Sequence, residues 1–131
     1  MLLDTSGLLS YFDASEPRHA DAVRIFTAAP RRVTHSYVLA EFVALCHARR
    51  LPRIGSLRLV ADVMENPHVE MHWIAEPAWR AAFALLQARP DKTYSLCDAI
   101  SFLLMRQRGL TDALTTDHHF EQEGFVRLLK A

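Results

Sequence analysis

The chain opens with an apolar triplet, Met1 to Leu3, that breaks at Asp4; the polar run DTSG then yields to apolar positions at Leu8, Leu9 and Phe12. A short apolar run closed by capping residues predicts a buried strand ending at Asp4 and a helix starting near Thr5. Pro17 suits a first helical position, and Ala20, Val23, Ile25 and Phe26 carry a second helix to Pro30. RRVTHS predicts a brief strand ending at a cap, Ser36, and a long apolar helix follows from Tyr37 to Arg50. Pro52 and Gly55 interrupt the pattern before another helix, Leu57 to Glu65. HVEMHWI alternates and is rich in strand formers. Glu76 and Pro77 open a helix through Leu86 that stops before Pro90, and DKTY is loop. Ser95 caps a helix that buries Ile100, Leu103 and Leu104 and is closed by Gly109. DALTT is a fourth strand, and FVRLL offers a fifth. Short strands alternating with helices predict an α/β protein whose mostly parallel sheet is covered on both faces.

Composition narrows this picture without redirecting it. At 131 residues, 50% hydrophobic and 23% charged, one folded domain over residues 1–131 is expected. Fifteen acids balance fifteen bases, so bulk charge favours neither a nucleic-acid nor a membrane partner. Cys46 and Cys97 form no CxxC pair and fit a reducing compartment. No basic, cleavable leader and no run long enough for a membrane span are present, so a cytoplasmic protein is expected.

Four acids stand in unusual surroundings. Asp4 and Asp117 each follow a predicted strand, at the edge where open parallel sheets gather ligands. Glu41 lies within VLAEFVALC, where an unpaired carboxylate turned inward would be costly. Asp98 is three residues past Ser95, in the first turn of a helix. Each has an ordinary explanation as well. Asp4 and Asp117 suit helix caps, Ser95 and Asp98 match a capping box, and Glu41 fits a narrow exposed stripe. If all four gather, their repulsion calls for cations, and oxygen-only ligands favour Mg²⁺ or Mn²⁺ over zinc. The chemistry this implies is phosphodiester hydrolysis, with the Thr5, Ser6, Thr115 and Thr116 hydroxyls beside the acids. His118 and His119 are adjacent and would point about 100° apart on a helix, so exposed turn residues are expected rather than ligands. His35 is expected to be structural, Cys97 to be core, and Trp73 and Trp79 to be core or dimer surface. Arg49, Arg50 and Arg53 could engage backbone phosphates, although a solvated helix end is the commoner explanation.

Taken together, MLLDTSGLLSYFD, SYVLAEFVALCHARR, YSLCDAISFLLMRQRGL and ALTTDHHFEQEGF resemble the PIN-domain family, in the compact prokaryotic branch that includes the ribonuclease toxins of VapBC-type pairs. The likeness runs from residue 1 to about 128. It implies a three-layer α/β/α sandwich with a mostly parallel central sheet of four to five short strands. It also implies an acidic pocket at Asp4, Glu41, Asp98 and Asp117, with Ser6 and Thr116 as looser matches to the family's small hydroxyl residues. On this resemblance Mg²⁺ or Mn²⁺ would be held by Asp4, Asp98 and Asp117, and Glu41 would orient or deprotonate the attacking water or complete the metal shell as a fourth ligand. RNA would be the substrate, a homodimer the common assembly, and a small antitoxin a partner that masks the pocket. Some members carry a further acid after the fourth position, whereas His118, His119 and Phe120 follow here. Two other classes are weighed: a non-catalytic PIN-like module that binds RNA or protein, and a Mg²⁺-binding receiver-type signalling domain. A receiver wants paired acids after its first strand and a nearby lysine, but LLDTSG offers one acid and Lys92 lies in an unsuitable loop.

Overall fold

A computed structural model describes residues 1–130. Along the chain run β1 (Leu2–Leu3), α1 (Thr5–Phe12), α2 (His19–Ala28), β2 (Arg32–His35), α3 (Ser36–Ala48) and α4 (Arg53–Glu65). There follow β3 (Val69–His72), α5 (Glu76–Ala88), α6 (Leu96–Arg108), β4 (Asp112–Leu114), α7 (His119–Gln122) and β5 (Val126–Arg127). Every strand pair is parallel, in the order β3-β2-β1-β4-β5. Each crossover carries a helix, as parallel neighbours require. The expected three-layer α/β/α architecture is present.

The central strand β1 is apolar throughout because both faces of the sheet are covered there. Successive side chains point to opposite faces, so β1 sends Leu2 one way and Leu3 the other. Leu2 joins Val33, Phe102, Met105, Ala113 and Phe120 under α5 and α6. Leu3 joins Leu8, Phe26, Val38, Phe42 and Leu114 under α1 to α4. The register Leu2↔Ala113 and Leu3↔Leu114 makes this partition continuous across β1 and β4. Trp73, expected in a core or at a dimer surface, is 69% exposed.

Several boundaries depart from the sequence pattern for identifiable reasons. α4 begins at Arg53, so Gly55 lies within the helix. A Cβ there would come 3.3 Å from the Phe12 ring, so the small residue lets α4 approach α1. α2 starts at His19, leaving Pro17 in the turn before it. The cap of α3 is His35, not Ser36: His35 Nδ1 accepts the Val38 N–H at 3.3 Å. Ser36 is the first helical residue, and its Oγ accepts the Ile74 N–H at 2.9 Å.

With Nδ1 accepting, the neutral His35 ring must donate from Nε2, which lies 2.8 Å from Ser101 Oγ. His35 is fully buried, and burial pushes its pKa down to about 3, aided by the His72 charge. The unfolded chain therefore binds more protons than the folded one between about pH 6.5 and that value. This contribution to stability is present above pH 6.5 and is lost as the pH falls towards 3. An H35N variant keeps a cap acceptor but cannot titrate. Its urea midpoint should fall less than that of the wild type between pH 7 and pH 5. Parallel acid limbs for the two proteins would show that His35 does not carry the effect.

Candidate functional site

The strand order reverses beside β1: β2 and β3 lie on one side, β4 and β5 on the other. In open α/β sheets the crevice at such a reversal, outside the carboxyl ends of the strands, is where ligands bind. Asp4 leaves β1 there, and Thr115 to Asp117 leave β4. α1 is held against this edge by close approach at Gly7, where an added Cβ would lie 1.8 Å from the Leu114 carbonyl oxygen. That same oxygen accepts the Asp4 N–H at 3.2 Å.

Asp4 is 4% exposed and anchored by hydroxyls. Its Oδ2 accepts from Thr115 Oγ1 at 2.7 Å and from Ser6 Oγ at 3.3 Å. Ser6 Oγ also lies 3.0 Å from Thr115 Oγ1 and accepts the Thr116 N–H at 3.0 Å. Thr115 Oγ1 accepts the Asp117 N–H at 3.0 Å. The hydroxyl bridging the two loops is thus that of Thr115, while Thr116 contributes its backbone N–H. Burial raises the Asp4 pKa to about 7 against the pull of Thr115, and the Asp98 and Glu41 carboxylates push it further up.

Asp98 combines the two roles that the sequence left open. Ser95 Oγ accepts the Asp98 N–H and Asp98 Oδ2 accepts the Ser95 N–H, both at 3.0 Å, so the capping box is complete. The same Oδ2 lies 3.1 Å from His119 Nδ1. Burial raises the Asp98 pKa; the Ser95 N–H opposes this and the Asp117 charge adds to it. Asp117 Oδ1 accepts the His119 N–H at 2.9 Å and lies 3.3 Å from His119 Nδ1.

His119 therefore is not a bystander. Half-buried, it stands between two carboxylates with Nδ1 facing both, and its Nε2 lies 3.1 Å from Thr93 Oγ1. His118 is exposed as expected, but the turn brings ligand atoms of Asp117, His118 and His119 within 4.8 Å of one another. His118 caps α7 with helical backbone angles, and its ring still lies 4.6 Å from that of His119. Its position in sequence could not expose the His119 contact, because the Asp98 partner lies 21 residues earlier.

Glu41 is the outlier. It is exposed on α3, on the stripe its ordinary explanation anticipated, yet its charge bears on both Asp4 and the Cys97 thiol. Cys97 is buried, and burial with the Glu41, Asp4 and Asp98 charges pushes its pKa far up, which suits a core thiol and not a nucleophile. Glu123, in the same segment as the histidines, turns inward and is paired with Arg89 and Arg106.

The donor set fits a small hard cation. Carboxylates crowd at one edge with raised pKa values, and Thr5 Oγ1 is buried beside Asp4 with no hydrogen-bond partner. A divalent ion would relieve the repulsion and use the oxygen donors.

Comparison with known proteins agrees with this geometry. The PIN domain family matches residues 1–125. A protein named 23S rRNA-specific endonuclease VapC20, from two strains of Mycobacterium tuberculosis, is 31% identical over 98% of this chain and 97% of its own length. The crystal structure of Mycobacterium tuberculosis VapC20, described as a sarcin–ricin loop cleaving toxin, superposes with a TM-score of 0.87 at 28% identity, covering 95% of each chain.

Proposed function

Because the chain belongs to the PIN-domain family, we propose that it is a divalent-metal-dependent endoribonuclease and the toxin of a type II toxin–antitoxin pair. The observation that carries this reading is the meeting of Asp4 with Thr115 and Asp117 at the reversal of the sheet, with Asp98 joined to Asp117 through His119. Asp4, Asp98 and Asp117 would hold Mg²⁺ or Mn²⁺, with Glu41 at the mouth of the pocket. When bound, such an ion lowers the pKa of water and clamps phosphate oxygens.

The protein's own groups keep this arrangement in register. Thr115 and Ser6 fix the Asp4 carboxylate, and the His119 ring spans Asp98 and Asp117. Glu41, exposed and free to rotate, takes the proton of the attacking water at its carboxylate. Water oxygen bonds to phosphorus, the bond to the departing 3′-oxygen breaks, and that oxygen takes a proton from solvent. The products are a 3′-hydroxyl and a 5′-phosphate.

The named relatives support ribosomal RNA, and its sarcin–ricin loop, as the first substrate to test. The same reading supports cytoplasmic action on ribosomes, a homodimer, a small antitoxin that covers the pocket, and residues 1–131 as one nuclease domain. No helix among the described residues is long and apolar enough to cross a membrane.

The test is incubation of purified protein with ribosomes and with an RNA hairpin carrying the sarcin–ricin loop. Cleavage at one position with MgCl₂ or MnCl₂, leaving a 5′-phosphate, is the expected result. EDTA should reduce the rate at least ~100-fold and added cation should restore it. A rate indifferent to EDTA defeats the metal role; intact RNA under every condition defeats the enzyme reading.

A further inference from the structure

A second site lies where α3 ends and α4 begins. His47, Arg50, Leu51, Arg53 and Ser56 line a cavity of about 200 Å³. No carboxylate lines it. Among the described residues no acid or hydrogen-bond partner engages the side chains of His47, Arg50 or Arg53, whereas neighbouring Arg49 is tied to Glu16. Arg50 and Arg53 are exposed at the lining of one cavity that holds no counter-charge, and an anion is what such a site accepts.

The backbone at Arg50 makes the placement more telling. The end of α3 is closed by Leu51 N–H to the Cys46 carbonyl and Arg50 N–H to the His47 carbonyl, both at 3.0 Å. This closing pattern puts its last residue in the left-handed region, where glycine is the usual occupant. Here that residue is Arg50, with φ 58°, the one non-glycine residue with positive φ among those described. An arginine is held where glycine would be less strained.

The cavity also adjoins the helix that carries Glu41. Glu41 and His47 share α3, six residues or about 9 Å apart along the axis at ~1.5 Å per residue. The exposed surface between them is made by Ala40, Ala44 and Ala48, with neither bulk nor charge to obstruct a strand. Six residues turn the helix by about 600°, so the two side chains stand roughly 120° apart and a strand meeting both must cross the alanine face.

We propose that the His47–Arg50–Arg53 cavity is a phosphate subsite, which grips the RNA backbone a few nucleotides from the bond cut at the acidic pocket. The inference rests on the ribonuclease reading, and its test separates the two. Wild type, R50G, R53A, the R50G/R53A pair and R58A are assayed on one RNA that the wild type cleaves. Arg58 is exposed on α4, lines no part of the cavity and serves as the control for diffuse charge. The paired variant should raise KM roughly tenfold, with the loss falling on KM and not on kcat. The slope of log KM against log salt should flatten by about 0.7, the share of one single-strand phosphate contact. R50G alone should weaken binding while raising Tm by a few degrees, since glycine suits the left-handed position. This pairing of tighter folding with weaker binding is not what a structural role for Arg50 would produce. Unchanged KM and salt slope in the pair, or an R58A effect as large as theirs, overturns the subsite and leaves the nuclease standing. A wild-type chain that neither binds nor cuts RNA overturns the nuclease reading and the subsite with it.

Discussion

A D4N substitution should abolish RNA cleavage, by roughly a thousandfold or more, and at the same time make the metal-free protein more stable at pH 8. The first effect follows from the place of Asp4 in the pocket. The second follows from its raised pKa, about 7, set mainly by burial. Because the folded value exceeds the unfolded value near 3.8, the unfolded chain gives up its proton first as the pH rises. The stability linked to the protonated form is present below pH 3.8 and is lost as the pH climbs through 7. Asparagine keeps the shape and an acceptor for the Thr115 hydroxyl without the charge. The gain at pH 8 should be on the order of a few kcal/mol and should shrink by pH 5. Added Mg²⁺ should stabilise the wild type at pH 8 and leave D4N almost unmoved, since only the former has a charge to neutralise. Denaturant titrations at both pH values, with and without cation, provide the check. Wild-type turnover by D4N, or a variant weaker than wild type throughout, is incompatible with this account.

The second large effect is expected at Gly7. A methyl group there would lie 1.8 Å from the Leu114 carbonyl oxygen and 2.6 Å from its carbon, both backbone atoms of the neighbouring strand. No side-chain rotation relieves such a contact, so α1 must move off β4. The Leu114 oxygen is also the acceptor for the Asp4 N–H, so the movement pulls on the residue at the heart of the pocket. G7A should lower stability by about 3 kcal/mol or more, and should lose activity in whatever fraction still folds. G55A is the comparison. Its new methyl would meet a Phe12 ring carbon at 3.3 Å, and the gain in helix preference offsets part of the crowding. Its denaturation midpoint should stay within about 1 kcal/mol of wild type in stability. Equal midpoints for G7A and wild type would remove the role given to this close approach.

What the sequence could disclose follows the range of each interaction. The strand before Asp4, the Ser95–Asp98 box and the Gly109 stop are written in residues no more than a turn apart, and all are present. The joint placement of Asp4 and Asp117 followed from strand ends, a local signal combined with a general rule for parallel sheets. Gly55 misled because a loop cue and a packing requirement use the same residue, and only Phe12, far away in sequence, distinguishes them. Ser36 misled in a similar way: both it and His35 can cap, and the choice was made by Ser101 and Ile74. His119 was hidden by the same logic. Beside another histidine in an acidic stretch it resembles surface, and its contact with Asp98 exists only after α6 has folded against the segment that follows β4.

The central strand β1 is completed by β4, whose first residue is Asp112, and Asp117 follows that strand. Residues 1–111 thus hold Asp4, Glu41 and Asp98 but neither the strand that seats the first nor the fourth acid, so the pocket closes only when β4 joins β1.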